Sequence, residues 1–305
     1  LTGQAGAQGA AFGEQLFRIA HFVVGGQVAL LGFQVAAAGG LAFAFGGGLL
    51  GTVRRWDEAR GQRLIGGAAL VALALFLGLP LLAVALRGRP PLLGGLAPSV
   101  WLAAARSLGV ALASAGLALG LGLGLAALID ALRARGGGRG IEAFGMLTLA
   151  ASPFAIGTGA FILLHPLADP FALALPVTAA VNAAMALPFT LRALLPALGA
   201  ARAVDGRLAD SLGIVGWARF RLVVWPRLRR PMGFATGLAA ALSMGDLGVI
   251  ALFAPPEVAT LPLLMQRLMA AYRMEAAAGV ALVLVALTYL TFWIFDRGGR
   301  INAPT

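Results

Sequence analysis

The chain has 305 residues, of which 60% are hydrophobic and only 11% charged, and its mean hydropathy is +0.91. Soluble domains carry roughly 25% charge, so this composition excludes a water-dispersed globular protein and selects lipid as the solvent. The 23 cations are all Arg, against 12 acids, for a net charge of +11. They lie between apolar runs rather than on one basic face, which argues against nucleic-acid binding and for loops facing anionic lipid.

Cys is absent, which excludes a disulfide framework and thiolate metal sites and leaves no redox clue to compartment. The chain opens at Leu1 with no charged segment ahead of a short apolar one. It therefore reads as a piece of a longer protein. Crossing the hydrocarbon core takes about 20 apolar residues in a helix. Seven stretches meet that length: 19–50, 64–86, 101–129, 141–164, 171–191, 232–254 and 277–295. The alternation of an outer-membrane barrel is missing. The expected fold class is an all-α, polytopic transmembrane helix bundle.

Taken in order, the first stretch is long and Gly-rich, which predicts a tilted or interrupted helix, with His21 at its start. Arg54, Arg55, Arg60 and Arg63 follow it. In the third stretch Gly116, Gly120 and Gly124 recur every four residues, and such spacing lets helix backbones approach closely. Gly136-Gly137-Gly138 reads as a tight turn. The fourth stretch ends at His165-Pro166. The fifth carries Asn182 ahead of Pro188, a kink, a polar lining or simple packing.

The sixth stretch places Asp246 in its middle. A carboxylate at membrane depth costs at least about 3 kcal/mol, so it should face a cavity or a partner. Two readings stand side by side. Asp246, with Asn182 and Ser243, lines a translocation path and attracts a cation, or Asp246 is hydrogen-bonded to Asn182 or Ser243 on a neighbouring helix. Beyond it, the loop at 255–276 contains an apolar run, Leu261 to Met269, expected to be a short re-entrant or surface helix. Its role is an outer gate, a docking face or mere closure of the bundle.

Orientation follows from the Arg bias. Most Arg residues fall in alternate loops, at 54–63, 133–139, 192–230 and 297–300, while the intervening loops hold few. The segment 192–231 and the C-terminus are therefore expected to be cytoplasmic. His21 and His165 are far apart and no carboxylate motif flanks them, so no metal site is expected. No P-loop, Ser-His-Asp order or nucleotide fingerprint is present. The chain is expected to bind no cofactor and not to be an enzyme.

The most informative segment runs from Arg207 to Pro226. Its first part is helix-forming, Gly213 offers a left-handed stop, and a second apolar stretch with Val215, Ala218, Phe220, Leu222 and Val223 follows, ended by Pro226. Pattern alone leaves two readings: an elbow that couples to another protein, or an interfacial helix on the headgroups. The segment resembles the loop of binding-protein-dependent ABC importer permeases that reads Glu-Ala-Ala, three residues, Gly, nine residues, Ile, one residue, Leu-Pro. Here Gly213 is followed after nine residues by Val223, then Val224, Trp225 and Pro226, while Arg207, Leu208 and Ala209 stand at the Glu-Ala-Ala positions and Asp210 follows them. Only one Ala is kept, and Arg207 at the Glu position puts in question the ionic contact that the family's Glu supplies, though not the helix–Gly–helix shape.

Within that family, Ser211-Leu212-Gly213-Ile214-Val215-Gly216-Trp217, the stretch from Ser243 to Phe253 and Thr260-Leu261-Pro262-Leu263 resemble thiamine transport permeases, which are fused duplicates. The resemblance implies a type I ABC importer permease (MetI-like) fold. Residues 1–63 would be the last helix of a first half plus a cytoplasmic linker, and 64–305 a second six-helix half with its loop at about 205–226. It further implies an ATPase dimer that binds ATP and grips the loop, a periplasmic binding protein, a first permease half, and residence in a bacterial inner membrane. The loop is shared with ferric-iron, sulfate/molybdate and polyamine permeases. An ion-coupled secondary transporter, with inverted repeats around broken helices, is the rival from another class.

Overall fold

The computed structural model describes residues 60–133, 136–169, 171–214, 216–255 and 258–301. The span predicted at 19–50, with His21, lies outside the described residues, as do Arg54 and Arg55. The chain divides into two compact units, Leu1–Leu73 and Ala74–Thr305. Of the first, only the opening turns of one helix are described.

All regular structure among the described residues is helical: α1 (Arg60–Leu93), α2 (Pro98–Arg133), α3 (Arg139–Met146), a 3₁₀ turn (Leu147–Ala150), α4 (Pro153–Leu164), α5 (Ala174–Ser211), α6 (Gly216–Arg219), a π-helical turn (Phe220–Val224), α7 (Trp225–Met244), α8 (Ile250–Phe253), α9 (Leu261–Ala270) and α10 (Met274–Ile301). Four segments are long and apolar enough to cross a bilayer: Gly67–Pro91, Pro98–Arg133, Ala174–Ala203 and Met274–Arg300. They match the stretches predicted at 64–86, 101–129, 171–191 and 277–295. This is a multi-pass membrane bundle.

The bundle is built inside out relative to a soluble core. Its centre is a layer of Ala111, Ala115 and Ala118 from α2, Ala183 and Ala186 from α5, and Ala239, Ala240 and Met244 from α7. Large apolar side chains such as Leu112, Leu117, Leu121 and Leu128 of α2 face outward. Lipid tails are as apolar as Leu, so burying Leu gains little there, whereas small side chains let helices make close van der Waals contact.

Three expectations change in the structure. Among the described residues the glycine ladder of α2 makes no contact: nothing lies within 4 Å of a Cβ placed at Gly116, Gly120 or Gly124. Packing falls to the opposite face, where Gly122 sits against Thr190 and Leu194. The stretch 141–164 is not one straight span either, because α3 with its 3₁₀ turn meets α4 at 97°. Ser152 precedes Pro153 and is extended, with ψ 138°. The proline ring disfavours the helical conformation in the residue before it.

The stretch 232–254 is likewise broken. α7 starts at Trp225, carries Arg227, Arg229 and Arg230, and ends at Met244, and only the short α8 follows. α7 nonetheless occupies the centre, packed against α2, α5 and α10. Its apolar part is mostly small residues, Gly233 to Ser243, which suits a helix screened from lipid by neighbours. Gly233 and Gly237 bring it onto α10: a Cβ at Gly233 would stand 2.8 Å from the Cα of Gly299, and one at Gly237 3.0 Å from the carbonyl oxygen of Phe292.

Candidate functional site

Two places gather the residues singled out from the sequence. The first is the elbow between α5 and α7, at the end of the bundle where Arg is concentrated. α5 does not stop at a membrane boundary but runs on, through Pro188 and Pro196, to Ser211. Gly213 then takes φ 66°, and the amide of Ile214 donates to the carbonyl oxygen of Ala209 at 2.9 Å. That six-to-one bond with a left-handed residue inside it is a Schellman cap, which satisfies a carbonyl the helix end would leave orphaned. A side chain at this φ would be strained, which is why glycine stands there. Ala209, the one surviving residue of the Ala pair, is buried. The side chains of Arg207, Leu208 and Asp210 lie outside the described residues.

The second arm is continuous helix from Gly216 to Met244, so Pro226 does not end it as expected. The π turn explains the continuity. The amide of Trp225 reaches back to the carbonyl of Phe220, one residue further than in an α-helix. This wider turn accommodates Pro226, which has no N–H and would clash with the carbonyl four residues before it in a regular helix. Val223 sits inside the π turn and Pro226 in the first turn beyond it.

Trp217 stacks on Phe220 with centroids 5.1 Å apart, Phe220 lies 6.0 Å from Trp225, and Arg229 covers the Trp225 ring at 5.8 Å. Leu212, Trp217 and Leu222 at the tip are each more than 60% exposed, a large apolar display for a polar end of the bundle. The arms approach closely at Gly206, where a Cβ would stand 3.2 Å from an Arg219 guanidinium nitrogen. α5 is tied to α2 by Arg202, which pairs with the Asp130 carboxylate at 2.6 Å and donates to its main-chain oxygen at 2.9 Å.

The second place is the break after α7. The Asn182 amide donates to Ser243 Oγ at 3.0 Å, and both residues are buried. Asn182 also stands beside the Asp246 carboxylate, so the three residues form one cluster. Asp246, however, is not in the middle of a straight helix. Its Oδ1 accepts the Gly248 amide at 3.1 Å, its carboxylate also meets the Val249 amide, and Ala251 donates to Leu247 at 3.1 Å. Asp246 thus caps the turn Leu247–Val249 that leads into α8, its carboxylate meeting the amides two and three residues on, while Val249 stands at the N-cap of α8 itself. Its Oδ2 is buried and has no partner among the described residues. The capped turn rests on the other broken span: a Cβ at Gly248 would lie 3.7 Å from Pro153 Cβ, and one at Gly157 3.6 Å from Val249 Cα.

Beyond it, α9 confirms a short helix over Leu261–Ala270, its first amide donating to Ser107 Oγ of α2 at 2.8 Å. No group of three metal-ligating side chains is found among the described residues.

No protein-family model matches the chain. Among curated proteins, the thiamine transport system permease protein of Brucella abortus is 40% identical over 249 residues, covering 81% of this chain and 46% of that protein. The protein of the same name from Escherichia coli is 34% identical over 271 residues, 87% of this chain and 50% of its own length. The chain resembles the thiamine transport permeases. It spans about half the length of these permeases. The π turn and the Asp246 cap were missed in the sequence, although Pro226 directly after an apolar run and Asp246 two residues before Gly248 are the signals that carry them.

Proposed function

We propose that this chain is the second half of a membrane permease in an ATP-driven importer that carries thiamine. Its likeness to thiamine transport permeases, at 34–40% identity over about four-fifths of its length, carries the reading. The capped elbow at Gly213, placed between α5 and α7, supports it. In this reading the Arg-rich end faces the cytoplasm and the chain sits in a bacterial inner membrane. The elbow, from Arg207 through Gly213 to Val223 and Pro226, is received by one subunit of an ATPase dimer, which alone binds and hydrolyses ATP. A periplasmic binding protein delivers the ligand at the other end, and residues 1–63 belong to the first permease half and its linker. Asp246, with Asn182 and Ser243, lies on the path, where an uncompensated carboxylate oxygen suits a cation such as thiamine.

Reconstitution of the full-length permease with its ATPase and binding protein in proteoliposomes tests the reading. Thiamine uptake should require ATP and the binding protein. Gly213→Pro, which cannot adopt the left-handed φ, should release the ATPase subunit during purification and abolish uptake. ATP hydrolysis that ignores the binding protein, or uptake driven by an ion gradient alone, rejects the importer.

A further inference from the structure

We infer that the tip joining α9 to α10, centred on Tyr272, is a docking surface for a soluble protein, and that its occupant is the ligand-carrying binding protein. The inference rests on the importer reading. Among the described residues Tyr272 is the one non-glycine residue at positive φ, 58°. α9 ends there in a Schellman cap: the Tyr272 amide donates to the Met269 carbonyl oxygen at 3.0 Å, and the Arg273 amide to that of Leu268 at 2.9 Å. The cap at Gly213 has the same form, and there the left-handed position holds glycine. A bulky side chain at this φ is strained against its own backbone. The ring adds almost no packing to the fold, since Tyr272 is 89% exposed.

The tip is held rigidly. The first amide of α9 is bonded to Ser107 of α2, and Leu261, Leu264 and Leu268 share one apolar cluster with Val280 and Val283 of α10. α10 leaves the tip and reaches the Arg-rich end at Arg297 and Arg300, so the tip stands at the other end of the bundle. Further membrane helices pack against the sides of a bundle, whereas a helix end meets water and what is dissolved in it. Met269, Tyr272, Arg273 and Met274 are all exposed there, and Tyr, Met and Arg are enriched in protein–protein contacts. A ring on a fixed cap is presented at little ordering cost. Headgroups also accept a Tyr ring, but an anchor in lipid works from any helical position around the rim and needs no left-handed one. A docked protein needs the ring in one place.

Binding of the thiamine-loaded binding protein to the full-length permease with its ATPase is measured by biolayer interferometry, in nanodiscs and in detergent, beside the melting temperature. Tyr272→Gly should weaken binding about tenfold in both settings. Its melting temperature should equal or exceed that of wild type, because glycine relieves the left-handed strain. Tyr289→Ala, which removes the chain's other tyrosine from an exposed position on α10, should leave binding unchanged. Wild type that does not bind the binding protein overturns the importer reading and this inference with it. Equal affinity of wild type and Tyr272→Gly overturns the docking surface alone. A loss seen in nanodiscs and absent in detergent overturns it in favour of lipid as the occupant. A melting temperature lowered by Tyr272→Gly overturns it too, since the ring then packs on the permease itself.

Discussion

On α2, Gly116, Gly120 and Gly124 recur every four residues and meet none of the described residues; on α7, Gly233 and Gly237 recur at the same interval and lie against the backbone of α10. Spacing places residues on one side of a helix, but it does not say which side meets a neighbour. α2 has two small-residue sides, the glycine ladder and the Ala111, Ala115, Ala118 and Gly122 row, and the structure packs the second. In lipid both sides are acceptable to the solvent, so hydropathy cannot choose between them.

The largest effect is expected at the packed ladder. Gly233→Leu must push backbone apart at the α10 crossing and should destabilise by about 3 kcal/mol, seen as loss of a monodisperse species in detergent. A stable Gly233→Leu protein would break the contrast. Next is the far end of α7, where Asp246→Ala removes a cap and should lower thermal stability by about 1 kcal/mol. Asp246→Asn keeps a capping oxygen and should stay within a few tenths of a kcal/mol of wild type. If Asp246→Asn also transports normally, the carboxylate is a cap and nothing more. Reduced uptake at unchanged stability assigns its charge to the path. The smallest effect belongs to the open ladder: Gly120→Ala should be neutral or stabilising by up to about 1 kcal/mol through helix propensity. A melting temperature lowered by Gly120→Ala would show that this side is packed after all.

Much of the architecture was legible. Four apolar runs of bilayer length became four helices of bilayer length, because satisfying every backbone amide in lipid leaves a continuous apolar segment no alternative to helix. The left-handed stop at Gly213 was also legible, since few residues other than glycine tolerate that φ. The two breaks were not. At Ser152-Pro153 a local rule, the restriction that proline imposes on its predecessor, overrode an apolar run that looked uniform. After Met244 the run Gly245-Asp246-Leu247-Gly248 supplied both flexibility and a cap, and hydropathy averages over such a signal. α7 shows the converse: a helix too short in apolar residues to qualify as a span lies at the centre because its neighbours, not lipid, surround it.

The absence of a loop between Gly216 and Met244 has a mechanical side. α7 alone is 20 residues, roughly 30 Å at 1.5 Å per residue, and the π turn joins it to the exposed tip without interruption. A tilt imposed at Trp217 is therefore delivered along a stiff rod to Gly245. There the rod ends against the Asp246 turn, and that turn leans on the start of α4. One lever thus reaches both broken crossings, and its regular α-helical bonding is interrupted at the five residues from Phe220 to Val224 and at Pro231.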